Sequence, residues 1–190
     1  GFAKTTECRH AMENFSAITA NEVAPAMLLP LLHKYGFDAT ARNERLSLMG
    51  LDGVSPEETK FLNEKIILPC ARTIIDEFYV YLLNFPSMRE LLPDSILPGL
   101  KRTREEYLRS FGVDYASPEY FEYRLRIGIA HERVGLSLSL YQAAYRELTS
   151  LIINAIPDSI RQNTLRYQQL VNLIVKIAAL DMSLATDTYT

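Results

Sequence analysis

At 190 residues, with 48% hydrophobic and 23% charged residues and only 8 Gly and 9 Pro, the chain has the composition of one soluble globular domain that can bury a sizeable core. Its net charge is −3, from 20 Lys+Arg against 23 Asp+Glu, so it has no strong positive field for phosphate backbones and nucleic acid is not an expected partner. Cys8 and Cys70 lie far apart with no CxxC pair, which is neither a disulfide framework nor a zinc spacing and suits a reducing, cytoplasmic setting.

Residues 1–20 show little periodicity and read as an arm or a short helix. The most apolar run, VAPAMLLPLL at 23–32, holds two prolines and falls short of the roughly 20 apolar residues that a membrane span requires. A short helix is expected over about 22–35, stopped by Gly36. His10 and His33 each stand alone and read as surface or packing histidines.

In VSPEETKFLNEKIILP, Ser55 can cap, Pro56 suits the first turn and Glu58 completes the capping-box spacing, so a helix starts at about 56. Ile74, Ile75, Phe78, Leu82 and Leu83 then form a helical stripe to which Tyr79 belongs. A single turn bracketed by Pro86 and Pro93 follows. Helical spacing resumes through Leu97, Leu100, Thr103/Arg104, Tyr107, Leu108 and Phe111 to Gly112. Leu100 and Thr103 share a face there, one turn apart.

Ser117 and Pro118 open another helix, which carries His131 on an apolar face beside Ile127, Gly128, Val134 and Gly135. The next helix runs to Pro157, and the short alternation LSLSL lies inside its longer 3.6-residue pattern through Tyr141, Tyr145 and Leu148. The last segment starts with Asp158 or Ser159 as cap and is expected to run for some 30 residues. Between 170 and 180 its apolar residues point in nearly every direction, and such a helix must be covered all round. A second chain or a downstream domain is expected to complete that cover, with Leu173, Ile177, Leu180 and Leu184 as the contact stripe. The fold class is all-α.

His131 admits two physical readings. It is a core histidine bonded to a carbonyl, with glycines allowing close helix contact, or a neutral imidazole ligating the iron of a flat macrocycle, with missing side chains leaving room for the ring. No G-x-S-x-G, Gly-rich phosphate loop or Ser/His/Asp set competes with it.

Four stretches, in order, resemble the haem globin domain of bacterial globin-coupled sensors, a family that includes aerotaxis transducers and globin-fused diguanylate cyclases. They are DEFYVYLLNFP (76–86), LKRT (100–103), RIGIAHERVGLSLSLYQAAY (126–145) and LDMSLATDTY (180–189). The resemblance covers roughly residues 45–190 and implies a globin fold, with 1–45 as an N-terminal extension carrying a short helix and 46–190 as the sensor domain. It implies haem b (iron protoporphyrin IX) with His131 as the proximal iron ligand. Phe78, Leu100, Ile127 and Tyr141 would contact the cofactor, and Tyr79 and Thr103 would face a bound diatomic gas, O2, CO or NO.

The resemblance also implies that the long C-terminal helix pairs with its counterpart in a four-helix homodimer interface and feeds an output domain. The sequence begins with Gly and stops at Thr190, so a longer natural chain is expected. A sensor rather than an enzyme is expected, because peroxide chemistry normally calls for a distal acid–base group and no histidine stands in 74–83 or 97–108. The rival reading is a globin-shaped regulatory dimerisation module of stressosome type, which lacks the iron ligand; His131 in its low apolar setting speaks against it.

Overall fold

Three serines start helices by the same device, an oxygen that accepts a backbone N–H three residues on. Ser55 Oγ accepts from Glu58 at 3.4 Å, Ser117 from Tyr120 at 3.1 Å and Ser137 from Leu140 at 3.3 Å. The computed structural model describes residues 29–189, and among these there is no strand. The expectations placed on residues 1–28 lie outside the described residues.

The helices are α1 (Pro30–Lys34), α2 (Ala39–Leu48), α3 (Pro56–Leu62), α4 (Leu68–Leu82), α5 (Pro86–Leu91), α6 (Leu97–Arg109), α7 (Pro118–Arg133), α8 (Leu138–Asn154), α9 (Asp158–Arg161) and α10 (Thr164–Thr186). α3 passes into α4 through a π turn, Asn63–Ile67. Pro69 lacks an N–H, and its ring would press on the carbonyl four residues back, so the chain widens just before it instead of breaking. α10 packs on α7 and α8, α8 on α4, and α4 on α6, while α1 lies across α7.

One element has no counterpart in the sequence reading and another differs from it. α2 has few apolar residues and leaves no clear stripe in the sequence; it is started by Asp38, whose carboxylate accepts the Ala41 N–H at 2.8 Å. Arg45 then ties α2 to the end of α10 through Asp187 at 2.9 Å and Ser183 at 3.0 Å. The last segment is not one helix from Asp158: it breaks after α9, and Asn163, in extended conformation, accepts the Arg166 N–H at 3.1 Å and starts α10. An Asn side chain that bonds its own neighbouring backbone competes with helix continuation, which is why the break falls there.

The expected contact stripe of α10 is also corrected. Leu173, Ile177, Leu180 and Leu184 are all buried within this single chain, against the neighbouring helices. The helix is apolar beyond one stripe, and the fold spends the richest stripe on its own core.

One polar cluster is sealed inside this packing. Asp181 of α10 accepts from Tyr120 at 2.6 Å, Tyr107 at 2.7 Å, Tyr145 at 3.2 Å and Arg124 Nε at 3.3 Å. Arg124 lies 3.7 Å from the Tyr120 ring centre and also donates to the Ser110 hydroxyl at 3.1 Å. The cluster joins α6, α7, α8 and α10. Such a pair adds little net stability over an apolar core, but removing one partner strands the other charge.

Candidate functional site

α7 delivers His131 to the wall of a cleft through the 3.6-residue repeat that puts Ile127 and His131 one above the other. The ring is 7% exposed, and its Nδ1–H donates to the Ile127 carbonyl at 2.9 Å. A carbonyl can only accept, so the hydrogen of the neutral ring is on Nδ1 and Nε2 carries the lone pair. Burial, followed by the positive charge of Arg104, pushes the His131 pKa down to about 3, so the imidazole is neutral at physiological pH. The ring of Tyr141, from α8, stands edge-on to it at 5.0 Å.

The rest of the cleft is built from apolar and phenolic side chains. α4 contributes Phe78, Tyr79 and Leu82; α5 and the residue after it contribute Met88, Leu91 and Leu92; and α6 contributes Leu100 and Arg104. Val134 and Leu136 close the flank beyond His131, and Ala144, Tyr145 and Leu148 continue the Tyr141 face of α8. The cavity these side chains enclose measures about 80 Å³.

Tyr79 is buried, and burial raises its pKa while Arg104 pulls it partly back, so the phenol is neutral and able to donate. Arg104 is half-buried. Its Nη2 donates to His131 Nε2 at 2.7 Å, and its guanidinium also interacts with the Tyr79 hydroxyl.

Of the residues singled out in the sequence, Phe78, Tyr79, Leu100, His131 and Tyr141 come together around this cleft from four helices. Thr103 and Ile127 are buried but do not line it; Ile127 acts through the backbone carbonyl that fixes the His131 tautomer. The two glycines beside His131 have separate surroundings. A Cβ on Gly128 would lie 2.6 Å from the Ala185 carbonyl oxygen and 2.7 Å from its Cα, and would run into the Thr188 hydroxyl, so this glycine lets the end of α10 touch α7. Gly135 has φ +78 and ends the turn after α7, where an added Cβ would meet nothing within 4 Å.

Arg104 and Tyr145 stand on helical stripes in the sequence, but neither is singled out there as a site residue. Each was signalled by spacing, since Arg104 is one turn beyond Leu100 and Tyr145 one turn beyond Tyr141. Within KRTREE, however, an arginine looks like one more solvated charge. Tyr145 lines the cleft with its ring and reaches Asp181 with its hydroxyl, so it links the cleft wall directly to α10.

The chain is 25% identical over 169 residues to the heme-based aerotactic transducer HemAT of Halobacterium salinarum, an alignment covering 84% of this chain and 34% of that protein. The chain thus spans about a third of the length of that relative. The protoglobin family matches residues 39–190, which takes in every helix from α2 to α10 and the whole cleft, and the all-helical chain belongs to the protoglobin family.

Proposed function

We propose that this chain is a haem-based gas-sensing domain that binds haem b through His131 and takes O2 or another diatomic gas on the Tyr79 side of the cleft. The observation that carries this reading is a buried, neutral imidazole whose tautomer is fixed by the Ile127 carbonyl and whose Nε2, hydrogen-bonded by Arg104, faces a mostly apolar cleft. That donor set fits an iron porphyrin. Nε2 of His131 would hold the iron, Nδ1 is held by an acceptor that keeps the ring oriented, and Phe78, Leu100 and Tyr141 would supply largely apolar walls. When bound, haem supplies the iron at which a diatomic gas is held reversibly.

The residues do the rest. The Tyr79 phenol donates a hydrogen bond to a polar ligand. Apolar side chains keep bulk water out, and Tyr145 carries displacement of the cleft wall to Asp181 on α10. The domain works in the cytoplasm as a sensor rather than an enzyme, and α10 relays gas occupancy to an output domain. A homodimer forms on the face of α10 that the monomer leaves outward, which carries Leu165 and Val175, 66% and 48% exposed, with Ala179 and Met182 half-buried between them and the core.

The test is a visible spectrum of the purified protein beside its His131→Ala variant. The unmodified protein is expected to hold one haem per chain with a Soret band that moves on adding O2 or CO, and the variant to lose stoichiometric haem. Wild-type haem content and ferrous spectra in the variant would sink the assignment of His131.

A further inference from the structure

His131 Nε2 has one lone pair, and Arg104 already uses it, with Nη2 at 2.7 Å. Nδ1 is committed to the Ile127 carbonyl at 2.9 Å, so no other nitrogen of this ring can take a metal. A guanidinium and an iron atom therefore compete for the same site. We propose that Arg104 is a gating residue for haem: it holds Nε2 until the cofactor arrives, then turns to the cleft mouth and pairs with a carboxylate on the porphyrin edge. This inference rests on the haem reading given above.

Three observations support it. Arg104 lines the cleft among apolar and phenolic side chains, where a permanently charged group gains from a charged partner. It is half-buried, so its long stem can carry the head to solvent without unpacking α6. Among the described residues its charge is met by the phenols of Tyr79, Tyr141 and Tyr107 rather than by a carboxylate. The contrast is Arg124, sealed inside the fold and already paired with Asp181. A planar guanidinium binds a carboxylate better than it binds a phenol or an imidazole, so an acidic porphyrin gives Arg104 a stronger partner than the one it gives up.

The experiment has two arms. In the first, the full chain stripped of haem and checked for helical circular dichroism is mixed rapidly with iron protoporphyrin IX, and the Soret phase that reports histidine ligation is timed. Arg104→Leu is expected to speed this phase about tenfold or more, the worth of a hydrogen bond to a charged group. Arg104→Gln keeps a donor for Nε2 and is expected to stay closer to the unmodified rate. In the second arm, haem loss from the loaded protein to an excess of acceptor globin is followed for iron protoporphyrin IX and for its dimethyl ester, which has no carboxylate.

Esterification is expected to hasten loss from the unmodified protein by about threefold more than from Arg104→Leu or Arg104→Gln, as befits a partly exposed ion pair. Equal ligation rates in the unmodified and Arg104→Leu proteins would overturn the gate. An ester effect of the same size in all three proteins would overturn the carboxylate pairing. Failure of the unmodified protein to take up haem at all would instead overturn the haem reading, and this inference with it.

Discussion

Replacing Gly128 with alanine adds one methyl group to α7, and the fold decides the sign of its effect. Considered as a helix residue alone, alanine is better than glycine by about 1 kcal/mol. The new Cβ, however, would stand 2.6 Å from the Ala185 carbonyl oxygen and 2.7 Å from the Ala185 Cα, where 3.4–4 Å is ordinary contact. Both are backbone atoms of α10, so no rotamer change relieves them; the two helices must move apart by the better part of an ångström. That shift would loosen buried Leu184 and strain the bonds that Asp181 makes across four helices.

Overpacking of this kind costs about 1–3 kcal/mol, and occasionally more. With backbone on the far side the upper part of that range applies, leaving a net loss of about 1–2 kcal/mol after the propensity gain. For a chain of this length the melting temperature is expected to fall by roughly 2–8 °C. Gly99→Ala is the control: it sits in α6 with nothing within 4 Å of an added Cβ, and is expected to raise the melting temperature by a few degrees. Thermal and urea unfolding followed by circular dichroism at 222 nm measure both variants. A Gly128→Ala protein as stable as the unmodified one, with an unchanged urea slope, would refute the close-contact argument. Thr188→Ala in the Gly128→Ala background is expected not to restore stability, because the Ala185 backbone remains in the way.

Burial raises the pKa values of Tyr107, Tyr120 and Tyr145 well above the usual tyrosine value and pushes Tyr189 up to about 12, whereas unfolded tyrosines ionise near pH 10. Stability from these groups is therefore fully present below about pH 10 and is lost as pH rises towards their folded values, so they are expected to ionise together with helix loss. Absorbance at 295 nm, free of tryptophan in this chain, reads this; ionisation of all 11 tyrosines near pH 10 with helicity intact would contradict it. Asp181→Leu leaves Arg124 charged and sealed in, and is expected to cost about 3–5 kcal/mol by denaturant titration; a loss below about 1 kcal/mol would mean the charge finds solvent. Tyr79→Phe is expected to hasten O2 dissociation about five- to thirtyfold and to change CO dissociation less, and an unchanged ratio of the two rates would remove Tyr79 as a ligand donor. Val175→Glu on the outward face of α10 is expected to leave the fold intact and abolish dimers in sedimentation, and a variant as dimeric as the unmodified protein would move the interface elsewhere.

What the sequence determined by itself is what short-range forces decide. Ser55 and Ser117 start helices because each can bond an N–H three residues away, whatever lies further off. His131 falls on an apolar face because Ile127 and Val134 are its neighbours at helical spacing, and its bond to the Ile127 carbonyl is made within one turn. Tertiary structure decided everything that depends on which helices meet. α10 is apolar on more than one side, and only its contacts with α7 and α8 choose Leu173, Ile177, Leu180 and Leu184 for the interior and leave Val175 outside. Asp181 reads as an ordinary surface carboxylate until three tyrosines and Arg124, from three other helices, converge on it. Arg104 reads as one charge in a polar run until α6 is laid across the cleft opposite α7, which brings its guanidinium to the one nitrogen of His131 that a metal can use. The reason is common to all three: periodicity fixes the faces a helix presents, and the partners that meet those faces come from distant parts of the chain.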